Sequence, residues 1–193
     1  MSELPVIGVS PPERRDAARN RERLIAAAHR VLERAGPQGL TMDALAAEAG
    51  VGKGTIFRRF GDRRGLADAL LDGPMREFQD RFLRGAPPLG PAAPAAERVE
   101  AFAVELTRMI DANLPVVALA AAGPEFERSP VHGALVLHAQ VLLRDAAPQL
   151  DAVVTSRLLL GAIGAPVIAD ARAQGASIDE IVAAVRLLVR GLL

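Results

Sequence analysis

The chain has 193 residues, 50% of them hydrophobic and 3% aromatic, and its formal net charge is zero. This length allows a full hydrophobic core, in one domain or in two, and zero net charge excludes a uniformly basic nucleic-acid protein. The absence of cysteine excludes disulfides, thiolate metal sites and thiol nucleophiles. No alternating β pattern appears, so we predict an all-α fold of about nine helices.

The N-terminal segment is weakly patterned. Residues 1–12 contain neither a cationic start nor a long apolar run, so we predict an N-terminal arm, no signal peptide and a cytoplasmic protein. From about Arg14 to Ala35, apolar residues recur at helical spacing, which predicts the first helix. Residues 36–39, Gly-Pro-Gln-Gly, predict a turn.

Residues 41–60 have the pattern of a helix-turn-helix motif. Thr41 is a suitable N-cap for the first helix, and Gly50 can adopt the left-handed conformation that ends it. In the second helix, Ile56 and Phe60 are four residues apart and predict a buried side. The outward side carries Lys53, Thr55, Arg58 and Arg59. A short helix with one buried and one basic side fits the DNA major groove.

The same stretch resembles a known family. Residues 50–60, Gly-Val-Gly-Lys-Gly-Thr-Ile-Phe-Arg-Arg-Phe, are similar to the recognition-helix signature of TetR-family transcriptional regulators. Residues 21–72 as a whole resemble the DNA-binding domain of that family. With the outward positions above, the resemblance implies DNA contacts by Thr41, Lys53, Thr55, Phe57, Arg58, Arg59 and Arg63. Gly52 stands where the family usually has a capping Ser, and Phe57 stands where it usually has a phosphate-binding Tyr.

Positive charge is concentrated beside this motif. Residues 53–64 contain five basic side chains and one acid, Asp62. A solvated charged face would have the same composition, but the helix-turn-helix favours a DNA-facing surface. Asp62 is the expected N-cap of the next helix, and residues 73–74, Gly-Pro, predict a break or kink in that helix. We therefore predict a DNA-binding domain at 1–72 and a ligand-binding and dimerisation domain at 73–193.

The second domain shows helical patterns separated by breaker residues. Residues 85–94 are rich in Pro, Gly and Ala and predict a loop. Gly161, Gly164 and Pro166 predict tight packing and a kink within one helix. Ser177 and Glu180 predict a capping box at the start of the last helix. The predicted helices of this domain are 75–84, 95–113, 115–122, 130–147, 151–173 and 177–193.

Two polar residues, His138 and Gln140, interrupt the otherwise apolar helix 135–143. A buried polar group needs a partner, so either such residues bond a neighbouring carbonyl or lie at the surface, or they anchor a ligand. For each apolar candidate for a cavity wall, ordinary core packing is the more common explanation. The candidate ligand-binding residues are Phe78, Phe82, Phe102, Met109, His138 and Gln140. Because few charged residues lie on these inner faces, we predict a largely apolar, uncharged ligand.

The last two helices predict a dimer interface. The final helix has a broad apolar stripe, and a second apolar stripe lies shortly before it. Part of this surface must close the monomer's own core, but two such helices from each subunit would form a four-helix interface. The predicted interface residues are Leu159, Ile163, Ile181, Val185, Leu188 and Leu192. The family resemblance implies the same arrangement.

These patterns together predict a ligand-responsive transcriptional regulator, a repressor rather than an activator, that binds a palindromic operator as a homodimer. The alternative is a helix-turn-helix protein that acts constitutively or through a protein partner. An enzyme is disfavoured because the chain has no catalytic motif, no zinc-ligand spacing and no complete phosphate-binding loop. We predict no cofactor, no metal and no membrane segment, since the longest uncharged apolar stretch, 158–169, is too short to cross a bilayer.

Overall fold

The computed structural model describes residues 15–121, 126 and 128–193, and the elements within that part of the chain are all helices. The predicted all-α class is confirmed, with ten helices in the described residues where about nine were expected. The predicted arm at 1–12 lies outside the described residues. The helices are α1 (Arg15–Gly39), α2 (Met42–Ala49), α3 (Lys53–Phe60), α4 (Arg63–Arg84), α5 (Ala95–Ala112), α6 (Leu114–Ala120), α7 (Pro130–Ala146), α8 (Ala152–Ala162), α9 (Ala165–Ala173) and α10 (Ile178–Leu192).

Glycine and proline set several helix boundaries. The regular geometry of α1 ends before Gly36, whose φ of 64° and ψ of −176° are not helical, so the turn predicted there is confirmed. The predicted helix 151–173 is divided into α8 and α9, because Gly164 is extended and Pro166 occupies the first turn of α9. By contrast, α4 continues through Pro74, where a break or kink was predicted. A proline removes one backbone hydrogen bond there without ending the helix.

The described residues form two compact units. The N-terminal unit comprises residues 15–73 and 115–121, and the C-terminal unit comprises residues 74–114, 126 and 128–193. The first division falls close to the boundary proposed from the sequence. The second differs from it, because α6 belongs to the N-terminal unit, where Val116 and Ala120 join the core.

The core of the N-terminal unit is built from one apolar side of each helix. Burying one Leu or Ile side chain contributes ~1.5–3 kcal/mol relative to leaving it exposed, so this core fixes α2 and α3 against α1 and α4. Its largest fully buried side chains are Leu24, Leu40, Leu45, Ile56 and Leu66.

In the C-terminal unit, α5 packs against α7, α9 and α10, and α7 packs against α8. Its most deeply buried large side chains are Phe82, Phe102, Leu106, Leu142, Leu143, Leu159 and Ile163. The predicted capping box of α10 is confirmed, since Ser177 Oγ accepts from the Glu180 N–H at 3.2 Å and Glu180 Oε2 accepts from the Ser177 N–H at 2.8 Å.

One segment, Ala152–Ala173, is long and apolar enough to cross a membrane by length and composition alone, with a mean hydropathy of 1.8. The prediction of no membrane segment rested on the longest uncharged apolar stretch, 158–169, which is shorter than this segment. Core helices of soluble proteins meet the same criterion. Here the segment is divided into α8 and α9, and Leu159, Ile163 and Ile168 bury one side of it in the C-terminal unit.

Candidate nucleic-acid interface

A side-chain cap and a left-handed glycine fix the two ends of α2. The Thr41 side chain accepts from the Ala44 N–H at 3.1 Å, which confirms the predicted N-cap. Gly50 has φ 65° and ψ 35°, the left-handed conformation, and its N–H reaches the carbonyls of Ala46 and Ala47. A residue with a Cβ would be strained at this position. The cap and the glycine together set the angle at which α3 leaves α2.

Helix α3 has one buried and one exposed side. Ile56 is fully buried and Phe60 is 9% exposed, as predicted, whereas Lys53, Phe57 and Arg58 are exposed. Thr55 and Arg59 are half-buried at the edges of the exposed side. Gly52 supplies no side-chain cap, and the first turn carries no acid. The first-turn N–H groups can therefore face an anion such as a DNA phosphate.

Lys53 has an acidic neighbour that the sequence did not reveal. Its Nζ lies 2.6 Å from Oδ1 of Asp43, in the first turn of α2, and 5.9 Å from the centre of the Phe57 ring. The two charged side chains are 57% and 67% exposed, so the ion pair contributes only ~0–1 kcal/mol to stability. Lys53 can therefore exchange Asp43 for a phosphate at little cost.

Arg63 is placed differently from the expectation of a DNA backbone contact. Its Nε donates to the Leu40 carbonyl at 2.9 Å, and its Nη2 donates to the Pro37 carbonyl. The side chain is half-buried. Carbonyls in such a helix-to-helix segment need donors from elsewhere in the chain. We therefore assign Arg63 to holding the segment between α1 and α2, and only indirectly to DNA.

The turn between α3 and α4 is close-packed. Asp62 Oδ1 accepts from the Gly65 N–H at 2.8 Å, which confirms Asp62 as the N-cap of α4. A methyl group on Gly65 would overlap the Phe60 carbonyl oxygen. Glycine at this position therefore lets α4 start immediately beside the end of α3.

An ion-pair cluster ties α1 to α2 on the surface of the N-terminal unit. Glu48 accepts from Arg30 Nε at 2.7 Å and from Arg34 Nη1 at 2.8 Å. These hydrogen bonds hold the pKa of the Glu48 carboxyl below its usual value. The sequence does not reveal this cluster, because Glu48 is 18 and 14 residues from its two partners and a turn lies between them.

The residues that form α2 and α3 match those of known regulatory proteins. Residues 24–70 match the family described as bacterial regulatory proteins, tetR family. An HTH-type transcriptional regulator of Staphylococcus aureus strain USA300 is 38% identical over 69 residues, 36% of this chain and 37% of that protein. A transcriptional regulator of the TetR/AcrR family from Thermobifida fusca YX-ER1 has a TM-score of 0.65 and 26% identity, covering 89% of this chain and 96% of that one.

The chain belongs to the TetR family. Its match spans little more than a third of the length of the curated relatives. A FadR transcriptional regulator from Bacillus subtilis, solved in complex with stearoyl-CoA, shares the fold at 19% identity and a TM-score of 0.65, covering 87% of this chain and 96% of that one.

Four of the six ligand candidates of this TetR-family chain lie together. The rings of Phe78, Phe82 and Phe102 have centroids 5.2–5.5 Å apart. The imidazole of His138 lies 4.1 Å from the Phe82 ring and 5.1 Å from the Phe102 ring. We call these four residues the aromatic cluster. All four are buried, at 1–3% exposure.

The other two candidates, Met109 and Gln140, are half-buried. Met109 lines an open groove of about 360 Å³ in the C-terminal unit, together with Phe78 of the aromatic cluster. The rest of the groove is more polar than predicted; its other lining residues are Pro74, Glu77, Arg81, Glu105, Arg108 and Asn113. Among the described residues, no group of three or more His, Cys, Asp or Glu side chains is placed to hold a metal ion.

The proposed dimer residues divide by burial. Leu159, Ile163 and Val185 are 1–7% exposed, so they pack in the core of the C-terminal unit. Ile181 and Leu192 are half-buried, and Leu188 is 43% exposed. Two residues of the apolar stripe before the final helix, Leu158 and Val167, are more exposed, as are two residues outside the predicted stripes, Val154 and Leu187. The exposed fractions are 52% for Val154 and 68% for Leu158 on α8, 50% for Val167 on α9, and 72% for Leu187 on α10.

Proposed function

We propose that this TetR-family chain is a DNA-binding transcriptional repressor that acts in the bacterial cytoplasm. The observation that carries the proposal is the exposed basic side of α3, with Lys53 and Arg58, on a helix whose opposite side is locked into the core by Ile56 and Phe60. Rigid support from beneath is what a reading helix needs, because base contacts depend on sub-ångström placement.

In this proposal Arg58 reads a base edge, while Lys53 and the first-turn N–H groups of α3 contact phosphates. Thr41 supplies a hydroxyl whose oxygen accepts from Ala44, so its proton stays available for a phosphate. Thr55, Phe57 and Arg59 border the same surface.

The test begins with selection of binding sites from random double-stranded DNA, followed by fluorescence anisotropy on the selected site. Arg58→Ala should cost on the order of 1–3 kcal/mol and relax specificity at one position. Arg144→Ala is the matched control, because Arg144 is an exposed arginine on α7 in the C-terminal unit. An equal loss of DNA affinity in both variants would show that α3 does not contact the DNA.

We further propose that the active form is a homodimer. Helix α3 has eight residues, about 12 Å at ~1.5 Å per residue, so one copy reads too few base pairs to select a genomic site. Two copies on a two-fold axis would place two reading helices ~34–36 Å apart.

The exposed faces of α8 and α10 suit this role. On α8, Val154 and Leu158 are four residues apart and Gly161 follows at the next turn. On α10, Leu187 and Leu188 are followed by Gly191. A Cβ at either glycine would meet no atom within 4 Å, so another helix can approach there closely. In this proposal four exposed side chains form the centre of the interface: Val154, Leu158, Leu187 and Leu188. Leu159, Ile163 and Val185 pack beneath them.

The double variant Leu158→Glu/Leu187→Glu should be folded and monomeric, and should lose high-affinity operator binding. Light scattering coupled to size exclusion measures the first and anisotropy the second. Val141→Glu is the matched control, since Val141 is 42% exposed on α7. A double variant that remains dimeric would refute this interface.

Finally, we propose that a small, largely apolar molecule binds near the aromatic cluster and weakens operator binding. The support is the open groove that reaches Phe78, together with the fold shared with a regulator solved with stearoyl-CoA. In the chain, α6 follows α5 directly, and α6 packs in the N-terminal core through Val116 and Ala120. The ring-on-ring packing of the cluster favours the alternative, a regulator without an inducer. Release of DNA by an added apolar compound would decide between the two.

A further inference from the structure

His138 is a buried polar residue with an unsatisfied atom. The residue is 2% exposed, and its Nε2 has no hydrogen-bond partner. Its ring packs against the rings of Phe82 and Phe102, which also touch each other and offer no conventional donor or acceptor. A buried nitrogen left unpaired opposes folding, so its presence requires an explanation.

The other buried polar side chains do not share this property. Thr107 Oγ1 donates to the Ala103 carbonyl at 2.8 Å, and Ser156 Oγ donates to the Val153 carbonyl at 3.0 Å. Within the part of the chain that the structure describes, His138 Nε2 is the one buried side-chain nitrogen or oxygen without a partner. Ordinary core packing of a histidine therefore does not account for it.

Phe78 connects an open groove to the two rings that pack against His138. The Phe78 ring packs against Phe82 and Phe102, at 5.2 and 5.4 Å between centroids. The same residue lines the open groove of about 360 Å³. Rotation of this one side chain into the groove would therefore uncover the two phenyl rings against which His138 packs.

We propose that His138 Nε2 is the polar anchor of an effector site that opens when Phe78 rotates out of the aromatic cluster. The ligand of this site is an uncharged apolar molecule with one hydroxyl group. A hydroxyl can donate to Nε2 or accept from it, so either imidazole tautomer is served. The proposal rests on the effector-controlled function above and specifies its ligand.

The electrostatics of the site favour an uncharged ligand. Burial, with the nearby Arg98 guanidinium, lowers the pKa of His138 to about 4, so the imidazole is neutral at pH 7. Arg98 itself donates to the carbonyls of Phe82 and Leu89, at 3.4 and 3.5 Å, and is thus engaged near the end of α4. The cluster therefore offers a hydrogen bond and apolar surface, and it offers no free charge to hold an acidic or basic head group.

The test compares 2-naphthol with naphthalene as probes of the full-length protein at pH 7. The chain contains no Trp or Tyr, so probe fluorescence is read without protein background. We expect 2-naphthol to bind about tenfold more tightly than naphthalene, the gain typical of one hydrogen bond. The bound alcohol should also move the ¹⁵N resonance of His138 Nε2 in the wild-type protein, a readout that needs no variant.

The variants separate anchoring from packing. His138→Leu should bind both probes equally and, because the orphan nitrogen is gone, should melt at a higher temperature when empty. Thr107→Val is the matched control, a buried polar residue with a satisfied hydroxyl, and it should retain the preference for 2-naphthol. Phe78→Ala should accelerate association of both probes.

Several results would overturn the inference. They are absence of 2-naphthol binding, equal affinity for the two probes in the wild type, or a preference that survives in His138→Leu. Failure of the proposed function looks different. If 2-naphthol binds through His138 but leaves operator affinity unchanged, the site stands and effector control of DNA binding does not.

Discussion

Acidification should destabilise the C-terminal unit through His138. Burial, and secondarily Arg98, lowers the pKa of the folded imidazole from 6.5 to about 4. The unfolded chain therefore binds the proton more tightly, and stability rises with pH between these two values. The penalty begins as pH falls below about 6.5 and, at ~1.4 kcal/mol per pKa unit, reaches ~3 kcal/mol at pH 4.

Urea unfolding at pH 7, 6, 5 and 4 measures this change in the free energy of unfolding. Carboxyl groups also contribute to the pH dependence of stability. For example, the pKa of Glu100 is lowered, mainly by its hydrogen bond with Arg190. The stabilisation from this hydrogen bond is lost as pH falls through the pKa of Glu100 in the folded protein. Such contributions are common to the wild type and His138→Leu, so they cancel in the difference. The wild type should lose ~3 kcal/mol more than the variant by pH 4. Parallel pH profiles of the two proteins would show that the folded state does not lower the pKa of His138.

Three further predictions concern the N-terminal unit. Arg63→Ala removes two hydrogen bonds to backbone carbonyls and should lower the free energy of unfolding by about 1–3 kcal/mol, measured in urea; an unchanged midpoint with reduced DNA affinity would restore the direct phosphate contact. Gly65→Ala would overlap the Phe60 carbonyl and should lower the melting temperature by several degrees, on the scale of ~1–3 kcal/mol for an overpacked site; a rise would contradict the close turn. Asp43→Asn frees Lys53 from its ion pair and should increase DNA affinity. The slope of log affinity against log salt concentration should become steeper by up to about one. Weaker binding would mean that Asp43 positions the lysine.

The sequence by itself determined the N-terminal unit in some detail. Helical spacing of apolar residues, a capping threonine and a left-handed glycine are local signals, each acting within about four residues of chain. Thr41, Gly50, Ile56 and Asp62 were therefore assigned correctly before any contact was known. The capping box of α10 was local in the same way and was equally readable.

Only the tertiary structure decided which of two possible partners each long side chain and each apolar face takes. Arg63 sits beside a basic motif in the sequence, yet it turns to the carbonyls of Pro37 and Leu40, 26 and 23 residues away. Periodicity places Leu158 and Leu159 on a helix, but packing decides that Leu159 is buried and Leu158 is 68% exposed. The physical reason is that helix propensity is a short-range property, whereas burial depends on the summed contacts of helices that lie far apart in the chain.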